Sequence, residues 1–211
     1  MIPTKEEWMK ALNDRHGIGF QEKISSTAVA VCGLGGLGSN IAIALARAGI
    51  GKLMLIDFDK VDITNLHRQQ YKANQIGMCK TEALQDNLKE INPYLETKIH
   101  TICLDESNAK DVLADADIIC EAFDNAEAKA NIVNFVLSEM PGKYIVAASG
   151  MAGLESSNTI HTRKISKRFY LCGDEISDAK DGIGLVSSRV MLCAAHQAHT
   201  VLRIIAEEYE V

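Results

Sequence analysis

The run Val29-Ala-Val-Cys-Gly-Leu-Gly-Gly-Leu-Gly-Ser39 constrains this chain more than any other stretch. An unbroken apolar segment over 28–32 gives way to clustered glycines and then to alanine-rich sequence. Such a pattern predicts a buried strand, a tight turn and a helix over 37–48, closed by Gly49 and Gly51. Gly33, Gly35 and Gly38 fall at G-x-G-x-x-G spacing, with Gly36 between them. The first glycine permits the turn, the second lets the backbone approach a phosphate, and the third lets helix and strand pack closely. A second strand is expected over 52–57. It delivers Asp57 about 20 residues after Gly38, where an acidic side chain can meet a ribose. The helix opens with free N–H groups and the positive end of its dipole, which suits an anionic ligand. The turn says nucleotide, and alone leaves open a dinucleotide, another nucleotide or an empty turn.

Ala28 to Ala46 carries no charge and approaches membrane-spanning length. The glycines, Ser39 and Asn40 interrupt it, so strand–turn–helix is the reading and no membrane partner is expected. At 211 residues the chain is long enough for one well-buried domain. We read it as a single domain over 1–211, with an N-terminal helix at about 4–14, a nucleotide-binding core at about 27–150 and an extension over 151–211. The net charge of −6 argues against a nucleic-acid partner. Cys32, Cys79, Cys103, Cys120, Cys172 and Cys193 are scattered without a C-x-x-C pair. A disulfide framework is therefore not expected, and a reducing cytoplasmic setting fits. The opening Met-Ile-Pro-Thr-Lys-Glu-Glu lacks the apolar core of a signal peptide.

Along the chain, Thr4 can cap a short amphipathic helix that ends at Arg15-His16-Gly17. After the second strand, residues 61–77 are polar and poorly periodic, longer than an ordinary βα loop. A helix follows over 80–91, a strand over 97–102, and a short helix capped by Ser107 and ending near Ala114. Beyond these come a buried strand over 116–121, a helix from Asp124-Asn125 to about Glu139, and a strand over 144–149. This alternation predicts an α/β, Rossmann-like, mostly parallel sheet flanked by helices. Short strands over 159–165 and 168–172 predict an antiparallel extension. A charged loop over 174–184 and a long C-terminal helix over 186–208 complete the reading.

The chemistry concentrates after the second strand and after the buried strand over 116–121. Asp57-Phe-Asp59, Asn65-Leu-His-Arg-Gln69 and Lys80 put carboxylates, amides and two cations near one sheet edge. A nicotinamide site has no need of those cations, whereas a triphosphate does. Arg68 can make forked bonds to phosphate oxygens, and Lys80 offers a point charge. Asp124-Asn125 lies at the carboxyl end of a strand, where Asp124 could hold Mg²⁺ between phosphates or cap the next helix.

Taken together, Gly33-Leu-Gly-Gly-Leu-Gly38, Asp57-Phe-Asp59, Asn65-Leu-His-Arg-Gln69, Lys80 and Phe123-Asp124-Asn125 resemble the ThiF/MoeB family. These enzymes adenylate sulfur-carrier and ubiquitin-like proteins, and the resemblance covers the chain from about Arg15 to its C-terminal helix. Tyr170-Leu-Cys-Gly-Asp174 is most similar to the short ThiF-like branch. The resemblance implies ATP and Mg²⁺, and a ThiS-like carrier with a Gly-Gly C-terminus as partner. It implies that Asp57 binds ribose, that Asn65, Arg68, Gln69 and Lys80 contact phosphates, and that Asp124 binds Mg²⁺. Asp59 and Asn125 belong to the same matching motifs and, with Gly33, Gly35, Gly36 and Gly38, are expected to bind the nucleotide. Arg15 matches an arginine that reaches the neighbouring subunit's site in a homodimer.

Two features depart from the family. The C-x-x-C pairs of its structural zinc are missing, so no zinc site is expected. The 174–184 loop also lacks the cysteine that some members join to their carrier. Cys172 reads as a buried structural cysteine rather than a nucleophile, His67 as filling space beside the phosphates, and His196, His199 and Arg203 as a surface or dimer-contact face.

Overall fold

The computed structural model describes residues 2–180 and 182–211. Met1 and Asp181 lie outside the described residues, Asp181 within the loop expected over 174–184. Helix α1 (Lys5–His16) starts at a reciprocal cap: Glu7 N–H donates to Thr4 Oγ1 at 3.2 Å, and Thr4 N–H donates to Glu7 Oε2 at 2.8 Å. Gly17, at φ 81°, turns the chain straight into α2 (Ile18–Ser26), a helix that sequence periodicity does not announce. Only Gln21 and Ile24 of α2 are buried, so its apolar stripe is too narrow to read as a helical face.

The remaining elements follow the expected alternation. They are β1 (Ala28–Cys32), α3 (Gly36–Ala48), β2 (Lys52–Ile56), α4 (Lys80–Ile91), β3 (Glu96–His100), α5 (Ala109–Val112) and β4 (Ile118–Glu121). Next come α6 (Ala126–Glu139), β5 (Tyr144–Ala148), β6 (His161–Ser166), β7 (Phe169–Gly173) and α7 (Ser187–Ile205). Asn108, not Ser107, precedes α5; the Ser107 hydroxyl is turned to Asp105. Asn125, not Asp124, caps α6, its side chain accepting from Ala128 N–H at 2.9 Å.

The strands form one sheet in the order β3-β2-β1-β4-β5-β7-β6, parallel throughout except for the antiparallel β6–β7 pair. β1 is buried on both faces and alternates between two cores. Val29 and Val31 pack with residues of α3, α4 and α7, while Ala30 and Cys32 pack with residues of α5 and α6. The chain reverses its direction of travel across the sheet between β1 and β4. Parallel strands diverge there at their carboxyl ends and open a crevice. Among the described residues no helix is long and apolar enough to cross a membrane.

Candidate active site

The crevice begins with the glycine turn. Gly33 sits at φ 89°, its N–H donates to the Ile56 carbonyl at 2.8 Å, and a Cβ there would lie 2.7 Å from the Ala122 carbonyl oxygen. Gly38 does a different job. A Cβ on it would stand 1.8 Å from the Gly33 carbonyl oxygen, so only glycine lets α3 rest directly on the turn. Gly38 thus lies behind the turn, while Gly33, Gly35 and Gly36 line the cleft in front of it. Helix α3 starts at Gly35 with no side-chain cap, which leaves first-turn N–H groups directed at the cleft.

Asp57, at the end of β2, is mostly buried and already organised. Its Oδ2 accepts from Leu34 N–H at 2.6 Å and its Oδ1 from Asp59 N–H at 2.7 Å, tying the glycine turn to the next loop. A carboxylate has about four acceptor positions, so two remain for a ligand. Lys80, first residue of α4, is buried and donates to Asp59 Oδ2 at 2.7 Å. Arg68 reaches the cleft from the irregular 61–77 segment, where Nη1 donates to the Thr64 carbonyl at 3.0 Å. Its Nε and the Oε1 of neighbouring Gln69 are buried without a hydrogen-bond partner among the described residues. Unmet buried polar atoms of this kind are uncommon and fit a wall built to meet a polar ligand.

These side chains converge on one cleft of about 640 Å³. Gly33, Gly35, Gly36, Asp57, Asp59, Asn65, Arg68, Gln69, Lys80, Asp124 and Asn125 all line it, brought together from five separate stretches of chain. Asp124 is exposed there and has no hydrogen bond to any described residue. Arg15 is not in the cleft; it is exposed in the last turn of α1. Sequence reading missed Phe58, an aromatic side chain left 63% exposed beside Asp57, and the apolar wall of Met151, Leu185 and Val190. A large apolar residue directly after an acidic strand end was the available signal for Phe58. No local signal marks the other wall.

Glu121 lies behind the cleft rather than in it. It is fully buried, accepting from Phe123 N–H at 2.7 Å and from Lys129 Nζ at 2.6 Å. Burial pushes its carboxyl up, and Lys129 and the Phe123 N–H pull the other way. The pair fixes the backbone that presents Asp124. Cys172 is fully buried against Thr162 and Thr200, and burial pushes its thiol up to about 11, which leaves little thiolate at neutral pH. His196 Nδ1 pairs with Thr162 Oγ1 at 3.0 Å, while His199 is exposed. His67 touches the Leu185 carbonyl at 3.3 Å, and its ring lies beside Arg68 Nη1.

A sequence model of the ThiF family matches residues 9–211. The chain belongs to that family. The adenylyltransferase and sulfurtransferase MOCS3 of Drosophila grimshawi is 30% identical over 90% of this chain and 43% of its own length. MOCS3 of Caenorhabditis briggsae is 40% identical over 56% of this chain and 30% of its own. The ThiF-family chain described here thus spans less than half the length of these curated relatives. Among solved structures, E. coli tRNA N6-threonylcarbamoyladenosine dehydratase, TcdA, in complex with ATP superposes with a TM-score of 0.86 at 19% identity. The superposition covers 99% of this chain and 98% of that one, a likeness of fold.

Chemically, the cleft offers uncapped helix N–H groups, a guanidinium, a buried ammonium and an unpartnered carboxylate around one apolar-walled space. Such a set can orient a polyanion and meet part of its charge.

Proposed function

We propose that this protein is an ATP-dependent adenylyltransferase, a single adenylation domain acting on the C-terminal glycine carboxylate of a small ThiS-like sulfur carrier. The reading places it in the cytoplasm and in formation of the thiazole of thiamine. The convergence of Arg68, Gln69, Lys80 and the uncapped start of α3 on the cleft that holds Asp57 and Asp124 carries it. Asp57 holds the ribose, while Asn65, Arg68, Gln69 and Lys80 meet the phosphates along the floor made by Gly33, Gly35 and Gly36. Asp124 fits Mg²⁺ as a lone free carboxylate, because that ion takes most remaining positions from phosphates and water. Bound there, the ion would neutralise developing phosphate charge. Asp59 and Asn125 hold Lys80 and the start of α6 in place.

In the reaction, a carboxylate oxygen of the carrier attacks the α-phosphorus of ATP. The bond from that phosphorus to the oxygen bridging to the β-phosphate breaks, and pyrophosphate leaves with the electron pair. The attacking group is already an anion, so charge neutralisation and alignment matter more than proton transfer. The family resemblance assigns Arg15 to the site of the second subunit of a homodimer; within one chain it is exposed in the last turn of α1, outside the cleft.

The test is ATP–pyrophosphate exchange with Gly-Gly-ended carriers. Absence of exchange with every such carrier sinks the enzymatic claim. Asp124→Ala should abolish exchange while carrier binding survives; exchange that persists argues for a different metal ligand. NADH bound in preference to ATP would return the site to the nicotinamide reading. A tRNA-directed activity is the second reading, favoured because the fold matches TcdA over nearly the whole of both chains. Exchange stimulated by tRNA and not by a carrier would select it.

A further inference from the structure

The wall opposite the phosphate floor contains an ion pair that none of the chemistry above uses. Arg189, in the first turn of α7, and Asp174, just beyond β7, are both buried, with side chains 5% and 6% exposed. A guanidinium has five N–H donors, and each of Arg189's has an acceptor. Nε donates to the Ala152 carbonyl at 3.0 Å, and Nη1 to the carbonyls of Glu155 at 2.8 Å and Ser156 at 2.9 Å. Nη2 donates to Thr159 Oγ1 at 3.0 Å and to Asp174 Oδ2. The other oxygen of Asp174 accepts from the N–H groups of Ile176 and Ser177, each at 2.9 Å, and from the Ser177 hydroxyl at 3.0 Å. Ser177 Oγ in turn accepts from Ala152 N–H at 3.0 Å.

Residues 150–156 and 174–180 have no regular structure, so their placement rests on such contacts. Met151 is the neighbour of Ala152, and Val190 the neighbour of Arg189; both line the cleft. Val190 also stands against Gly36 of the glycine turn. Gly153 N–H donates to the Gly184 carbonyl at 3.0 Å, next to Leu185, the third apolar member of the wall. The pair thus ties the loop that carries Met151 to the start of the helix that carries Val190.

We infer that Arg189 and Asp174 are positioning residues that hold the Met151–Leu185–Val190 wall where the carboxylate-bearing substrate, not the nucleotide, passes over it. The inference rests on the adenylation reading for the substrate it names. The nucleotide's anchors, Asp57, Arg68 and Lys80, have no hydrogen bond to the pair. Lysine in place of Arg189 keeps the charge but has only three donors and no fork. Asparagine in place of Asp174 keeps the shape and loses the charge.

The experiment compares full-length wild type, Arg189→Lys and Asp174→Asn by three measurements. These are amide hydrogen exchange over 150–156 and 174–180, equilibrium ATP binding without carrier, and pyrophosphate exchange against concentration of a Gly-Gly-ended ThiS-like carrier. The expected result is amide exchange about tenfold faster in both segments. ATP affinity should stay within about twofold while the carrier KM rises about tenfold at nearly constant kcat. Unchanged amide exchange overturns the inference. So does ATP affinity falling in step with the carrier KM, which would mark a general loosening. If wild type binds ATP but exchanges pyrophosphate with no carrier, the reaction assignment fails. The wall then stands or falls on amide exchange and ATP affinity alone.

Discussion

The base of the cleft, from Gly33 to Asp57, is made from the ends of regular elements, whereas the wall opposite joins an irregular loop carrying Met151 to the start of α7 through Arg189 and Asp174. On the floor, β1, β2 and α3 bring Gly33, Asp57 and the free N–H groups together as a by-product of packing. In the wall, position depends on polar contacts among groups distant in sequence. A floor of the first kind tolerates loss of a ligand-facing side chain without unfolding. A wall of the second kind fails when one partner of its pair is removed.

The largest expected effect breaks the wall. Arg189→Met strands Asp174 and several carbonyls in a buried setting, and should destabilise the protein by about 3–5 kcal/mol in urea unfolding. An effect below about 1 kcal/mol would show that water replaces the guanidinium easily and would erase the contrast. Arg68→Ala tests the floor. Pyrophosphate exchange should fall about 10²–10³-fold, the scale for losing a charge-stabilising donor, while the unfolding midpoint barely moves. Gly38→Ala is the exception that sharpens the comparison, since it attacks the packing beneath the floor. Its Cβ meets backbone rather than a flexible side chain, and overpacking by one carbon should cost about 1–3 kcal/mol.

The smallest effect is a pH dependence confined to the wall. Burial alone would raise the Asp174 carboxyl, but the Ser177 and Ile176 N–H groups, the Ser177 hydroxyl and Arg189 outweigh it and hold it at about 2. A depressed carboxyl stabilises the fold above its unfolded pKa, and that stability is lost as pH falls toward the folded value. Between about pH 4 and pH 2 wild type should lose about 2 kcal/mol through this group. Asp174→Asn should lose correspondingly less over the same window in acid-denaturation curves.

The same division governs what can be read before folding. β1, the turn, α3, β2, α4 and α6 announce themselves because strand runs, glycine spacing and helical stops are local signals. The antiparallel pair and the long last helix do so as well. Helix α2 was silent because it buries one face so thinly that Gln21 and Ile24 are its only buried side chains. The convergence of Arg68, Lys80 and Asp124 was legible only through motif resemblance, since the segment carrying Arg68 has no periodicity. Nothing local pairs Arg189 with Asp174, and a lone arginine on an apolar helix reads as solvent-facing until the loops above it are seen. Lys80 and Asp59 were each read toward a ligand, and their partnership with one another emerged only in three dimensions.

That partnership alters how the cleft greets a polyanion. Around its lining, Asp57, Asp59, Asp62 and Asp124 outnumber Lys60, Arg68 and Lys80. The pocket is thus no reservoir of positive potential that would draw in bare ATP from a distance. A nucleotide stripped of its counter-ion meets a lining with one more carboxylate than cation, and one that arrives with a divalent ion meets a surface that can accept it. The protein contributes directionality, and the solution contributes much of the neutralising charge.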